Sequence, residues 1–142
     1  MLVRSIIFYL LLYIWTLFLG ILCLPYLLLP SSYMRGLANF WIGGILQLLK
    51  LTCGITYETR GKENIPNHAI IIASKHQSAF ETFLLFKLIK NSIFIHKREL
   101  FLVPVFGLYL KKSNMIAINR TEGPRAIRKM LSEVRQTITI GN

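Results

Sequence analysis

The stretch Ala69-Ile70-Ile71-Ile72-Ala73-Ser74-Lys75-His76-Gln77-Ser78-Ala79-Phe80-Glu81 decides how this chain is read. Its first five residues form a continuous apolar run, as expected of a strand buried on both faces. After the polar break, apolar residues at Phe80, Phe83, Leu84 and Leu88 recur at helical spacing. In between, His76 and Glu81 set an imidazole and a carboxylate a fixed distance apart. A histidine oriented by an acid can take a proton from an alcohol. Within one regular helix the two side chains would diverge, so the pair requires His76 in the turn and Glu81 in the first helical turn. Ser78-Ala79-Phe80-Glu81 also matches a capping box, in which Ser78 and Glu81 satisfy orphan backbone donors. The spacing alone leaves both roles open.

Downstream, Ser92–His96 reads as a short strand, followed by Lys97-Arg98-Glu99-Leu100 and then Pro104-Val105-Phe106-Gly107. Met115–Asn119 reads as another buried strand with Arg120 at its exit, where a planar guanidinium can grip phosphate. A solvated charge run at Lys97-Arg98 and a solvated strand-end arginine are the plain alternatives. Thr121-Glu122-Gly123-Pro124 opens a helix with Pro124 near its first turn. Its expected apolar stripe is Ile127, Met130, Leu131, Val134 and Ile138, with Arg125, Arg128, Lys129 and Arg135 facing outward. Thr137–Ile140 is patterned for the start of a further strand. Upstream, Ile55–Arg60 alternates like a strand and the residues from Gly61 to Asn67 carry turn chemistry. Strands alternating with helices predict an α/β sandwich around a mainly parallel sheet. His68 and His96 open and close predicted strands and have no motif around them.

The front of the chain has a different character. Ser5 to Leu24 is an uncharged run of 20 residues, about 30 Å of helix and thus about the thickness of a bilayer's hydrocarbon. Pro25 and Pro30 punctuate its end. Leu37 to Leu51 is a second apolar stretch, interrupted by Gly43-Gly44 and Gln47, which suits an interfacial helix better than a spanning one. A cleavable signal peptide is disfavoured, because the apolar core exceeds the usual ~7–15 residues and no small-x-small site follows. The reading is a retained membrane anchor, spanning or held in one leaflet.

The net charge of +11 falls unevenly. Residues 1–50 hold Arg4, Arg35 and Lys50 and no acid, so all six acids lie beyond them. Basic segments beside membrane anchors stay cytoplasmic and are drawn to anionic lipid heads. Nucleic acid is the rival partner, but neither zinc-finger spacing nor an aromatic RNA-binding motif accompanies the charge. Cys23 and Cys53 sit in or near apolar segments and read as reduced thiols rather than a metal pair.

Taken together, the segments around His76, Lys97–Gly107 and Ile116–Arg120 resemble the glycerolipid acyltransferases, specifically the 1-acyl-glycerol-3-phosphate acyltransferases that make phosphatidic acid. The resemblance implies that residues 1–52 anchor the chain to the membrane and residues 53–142 form the N-terminal part of an acyltransferase domain. It implies His76 as the base and Glu81 as its orienter, with Lys97 and Arg120 clamping the acceptor phosphate and Arg98 and Gly107 in support. It also implies no metal or tightly bound cofactor. Acyl-CoA or acyl-carrier protein would be the co-substrate, lysophosphatidic acid the acceptor, and the cytoplasmic side of the inner cell membrane the location.

The sequence departs from the family pattern in places. Glu81 stands where the family has Asp, and in the segment Gly-x-Ile-Phe-Ile-x-Arg, Asn114 replaces the glycine and Ala117 the phenylalanine. These changes suggest a reshaped acceptor pocket and admit another lysophospholipid or glycerol-3-phosphate. The family's later Phe-Pro-Glu-Gly-Thr-Arg segment has no counterpart here, so the expectation is the N-terminal portion of a longer enzyme, or else an inactive membrane-bound remnant.

Overall fold

The computed structural model describes residues 2–75 and 77–140. These fall into two compact units, Met1–Ser92 and Ile93–Asn142. The architecture is mostly helical with a small parallel sheet, an α/β fold.

In the first unit, α1 (Leu2–Leu22) is long and apolar enough to cross a membrane. A 3-10 turn over Leu24–Leu28, with Pro25 at its start, breaks the helix where the prolines predict. The chain then returns as α2 (Ser32–Cys53), ending at Gly54, whose φ of 70° turns the backbone off the helix axis. Helices α1 and α2 pack as an antiparallel hairpin: the Cys53 thiol lies 3.9 Å from the Arg4 carbonyl, and mid-helix the two tryptophans lock. The Trp15 indole donates to the Trp41 carbonyl at 3.0 Å, and the Trp41 indole donates to the Thr16 hydroxyl at 3.1 Å. Gly44 makes this approach possible, since a Cβ there would collide with the Trp15 ring. Met34, Ile42 and Ile45 are buried on α2, whereas Leu19 is the one buried residue of α1.

Helix α3 (Ala79–Leu88) packs against α2. Phe83 meets Trp41 edge-on at 5.4 Å, and Arg35 closes the far end. Its guanidinium donates to the Ile89 carbonyl at 2.7 Å, to the Ser92 carbonyl at 3.2 Å and to the Ser92 hydroxyl at 3.3 Å, while lying 4.8 Å over the Phe86 ring. The Ile89 and Ser92 carbonyls, just past the end of α3, thus receive a cation from α2. Partial burial pulls the Arg35 pKa below its ordinary value.

Two strands expected in the first unit are not formed. Ile55–Arg60 and Ala69–Ala73 run as irregular chain, and Ile70, Ile71 and Ile72 are exposed. A strand needs a neighbour to complete its ladder of hydrogen bonds, and among the described residues of the first unit no such neighbour is in place.

The second unit does form a sheet. β1 (Ile95–Lys97) and β2 (Ile116–Ile118) pair in parallel, with Ile95 opposite Ile116, His96 opposite Ala117 and Lys97 opposite Ile118. The crossover between them contains a 3-10 turn over Arg98–Leu102 and the short helix α4 (Phe106–Lys112). Helix α5 (Pro124–Ile140) packs on β2 and continues through the segment patterned for a strand. The Thr137 hydroxyl donates to the Glu133 carbonyl at 2.8 Å, which suits this β-branched residue to the helix. The expected stripe of α5 is only partly used. Ala126 is buried and Met130 and Val134 are half-buried, but Ile127, Leu131 and Ile138 remain exposed, because two strands cover a band narrower than the whole apolar face.

Candidate functional site

The turn Gln77-Ser78 leads directly into α3 and sets Glu81 in the first helical turn, as a His76–Glu81 pair requires. His76 lies outside the described residues. The capping box is formed: the Ser78 hydroxyl accepts the Phe80 N–H at 3.2 Å, and Glu81 Oε2 accepts the Ser78 N–H at 3.1 Å and the Ser78 hydroxyl at 3.2 Å. The cap does not exclude a second duty, since a carboxylate offers about four lone-pair positions. It holds the Glu81 carboxylate at the start of α3.

The basic residues belong to the second unit. Parallel pairing brings the C-terminal ends of both strands to one edge, where open α/β sheets take their ligands. Lys97 closes β1 opposite Ile118, and the backbone of Arg120 follows two residues past Ile118 on the neighbouring strand. The Arg120 side chain lies outside the described residues. Asn119 shapes this exit: its Oδ1 accepts from the Thr121 N–H at 3.2 Å and the Thr121 hydroxyl at 2.8 Å, and its Nδ2 donates to Glu122 at 3.0 Å. Arg98 starts the next 3-10 turn, and both Lys97 and Arg98 are exposed. Beside the same strand, Ile118, Gly123, Ala126, Ile127 and Met130 line an apolar hollow of about 290 Å³.

Gly107 has a packing reason to be glycine. It is buried in α4, and a Cβ there would run into the Phe101 carbonyl. The close backbone approach at this position is therefore made by the chain's own Phe101. Asn114, where the family has glycine, adopts a φ of 55°, a left-handed conformation that asparagine tolerates better than most residues. Ala117 stands opposite His96, and both side chains project to the face of the sheet away from Lys97 and Ile118. His96 Nδ1 lies 2.8 Å from the Lys97 carbonyl, its ring meets Phe101 edge-on at 5.0 Å, and its Nε2 is buried with no hydrogen-bond partner among the described residues.

Two features escaped the sequence reading. The partners of Arg35 lie more than fifty positions away, and its one local signal was a cation inside an apolar helix. The buried Nε2 of His96 depends on the crossover folding back over β1, which periodicity does not reveal. Among the described residues, no three His, Cys, Asp or Glu side chains converge as metal ligands would.

Comparison with known proteins bears on this geometry. Residues 56–141 match the model of the family described as Acyltransferase. The chain is 36% identical over 135 residues, 92% of its own length, to a 1-acyl-sn-glycerol-3-phosphate acyltransferase of Pseudomonas aeruginosa. It spans about half of that relative, 52% of its length. No solved structure matches. The family match covers α3, both strands and α5, and the chain belongs to the acyltransferase family.

Proposed function

We propose that the protein moves a fatty acyl group from acyl-CoA or acyl-carrier protein to the sn-2 hydroxyl of 1-acyl-glycerol-3-phosphate, giving phosphatidic acid. The observation that carries this reading is the 36% identity to a relative whose own name specifies that acceptor. In the proposed mechanism His76 takes the proton from the acceptor hydroxyl as its oxygen attacks the thioester carbonyl. The tetrahedral adduct then collapses, the C–S bond breaks, and the imidazolium returns its proton to the departing thiolate. Glu81 holds the imidazole in one tautomer and steadies the cation that forms. Lys97 and Arg120 grip the acceptor phosphate from the shared strand edge, with Arg98 and the turn held by Gly107 in support. The place of Glu81 in the first turn of α3 and the parallel register at Lys97 are consistent with these roles.

The membrane seat proposed for this activity is the α1–α2 hairpin, on the cytoplasmic face of the inner membrane. Helix α1 presents Leu2, Ile6, Leu10, Tyr13 and Phe18 outward, each more than half exposed. It is nonetheless paired along its length with α2, which carries α3 and the ionic Arg35 contacts on another side. Pushing α1 straight across a bilayer would drag those charged and polar groups into hydrocarbon. The hairpin accordingly lies in one leaflet, with the outward face of α1 in the acyl chains.

The test is thiol release from acyl-CoA by the purified protein, measured with lysophosphatidic acid, other lysophospholipids and glycerol-3-phosphate as acceptors. Lysophosphatidic acid is expected to give the highest rate. His76→Ala is expected to abolish turnover while leaving acceptor binding largely intact. Thiol release indifferent to acceptor, or undiminished in His76→Ala, would overturn the reading.

A further inference from the structure

We propose that a groove on the first unit binds the phosphate of an anionic membrane lipid between Lys50 and Lys87. The groove lies between the second half of α2, the end of α3 and the chain leaving Gly54, and encloses about 310 Å³. Its lining includes Gly43, Gln47, Lys50, Ile55, Tyr57 and Lys87, none of which serves the acyl-transfer chemistry proposed above. This inference rests on the membrane seat of the hairpin and is independent of the His76 assignment.

Charge is the first argument. Two lysines line one hollow, and no acidic residue does. Glu58, next in sequence to Tyr57, is held by Arg60 through bonds of 2.9 and 3.1 Å. Among the described residues, neither lysine lies within ion-pair distance of an acid. Two unpaired cations on one small groove make it complementary to an anion.

Shape is the second argument. Gly43 leaves the floor of the groove open: a Cβ there would stand 3.6 Å from Lys87 Nζ, so the ammonium reaches close to the α2 backbone. The lining is also divided in chemistry. Gln47 and Thr56 are polar, Leu46 and Ile55 are apolar, and Tyr57 is both. A free phosphate would use the polar residues alone. A phospholipid uses both kinds, with its phosphate on the lysines and its glycerol and first methylenes on the apolar ones.

Location is the third. Lys50 is one turn from Cys53, which meets Arg4 at the start of α1. The groove therefore opens near the basic end of the hairpin, where lipid headgroups would lie beside a helix bedded in one leaflet.

The test has two parts. Dihexanoyl phosphatidic acid, glycerol-3-phosphate and inorganic phosphate are titrated into the protein in maltoside micelles, and binding to neutral phosphatidylcholine vesicles is compared with binding to vesicles doped with phosphatidic acid. Three variants are used: Lys50→Gln with Lys87→Gln; Gly43→Leu, which fills the groove without changing charge; and Arg125→Gln with Arg128→Gln as a charge-matched control on exposed α5 positions. The lysine pair and Gly43→Leu are each expected to weaken short-chain lipid binding, and the preference for doped vesicles, by about 10- to 30-fold. The control is expected to change either by less than about threefold. Gly43→Leu binding like the parent, or the control losing as much as the lysine pair, would overturn the proposal. Inorganic phosphate competing as strongly as the short-chain lipid would overturn the lipid assignment. Failure of the parent to bind neutral vesicles would instead count against the membrane seat, and the micelle titration would still read the groove.

Discussion

Replacing Arg35 with methionine keeps an unbranched apolar stem on α2 and removes every hydrogen bond it gives to Ile89 and Ser92, just past α3. The structure sets the size of the effect. The 2.7 Å bond to the Ile89 carbonyl is short and charge-assisted, of a class worth about 1.5–3 kcal/mol. The bonds to Ser92 at 3.2 and 3.3 Å are longer, and the ring contact with Phe86 adds roughly 0.5–1 kcal/mol. Arg35 is half-buried, so solvent screens part of this sum, and a net loss of about 2–3 kcal/mol is expected. The loss is local, because it releases the last turn of α3 and the chain to Ser92. Amide hydrogen exchange in micelles should therefore accelerate roughly 30- to 150-fold over residues 85–92. Residues 95–97 and 116–118, in the second unit, should keep their protection. Arg35→Lys should fall between parent and methionine, since it retains the charge and loses the fork. Exchange in Arg35→Met within twofold of the parent over residues 85–92 would refute the clamp.

Three further outcomes follow from the site. Ser78→Ala should cost α3 about 1 kcal/mol and change turnover little, whereas Glu81→Gln should leave the helix near parental stability and lower turnover by roughly 100-fold or more. Helix content on thermal melting together with initial rates separates the two, and equal effects on both readouts from both variants would merge the roles. Gly107→Ala should destabilise the second unit by about 1–3 kcal/mol, because Phe101 must move, and the denaturant midpoint reads it. Asn114→Gly should be nearly neutral by the same measurement, while Asn114→Val should cost at least 1 kcal/mol for forcing a β-branched residue to a φ of 55°.

Local signals carried much of this fold. The proline-bounded apolar run gave α1, helical spacing gave α3, and Pro124 marked the start of α5. The capping box was written in Ser78 and Glu81, and the structure forms it. The parallel pairing of β1 and β2 was expected from alternation, and its register explains why Lys97 and Arg120 belong to one edge. Non-local partners were the missing part. Ala69–Ala73 has the composition of a buried strand, yet composition does not supply the neighbouring backbone that makes one. Thr137–Ile140 has strand-like residues, but a helix already under way costs less to extend than a strand costs to begin. Arg35 was visible as a lone charge, while its grip on Ile89 and Ser92 depended on how α2 crosses α3.

The reciprocal indole bonds of the hairpin bear on how it would enter a bilayer on the seat proposed above. Apart, Trp15 and Trp41 would each carry a bare N–H into a medium that offers no acceptor, at a penalty of several kcal/mol per group. Together, each donor arrives already satisfied by the other helix. On the membrane seat proposed above, insertion would favour the two helices already paired. A lesion at Gly44, which keeps the helices from pairing, would act as a defect of membrane delivery before it acted on anything else.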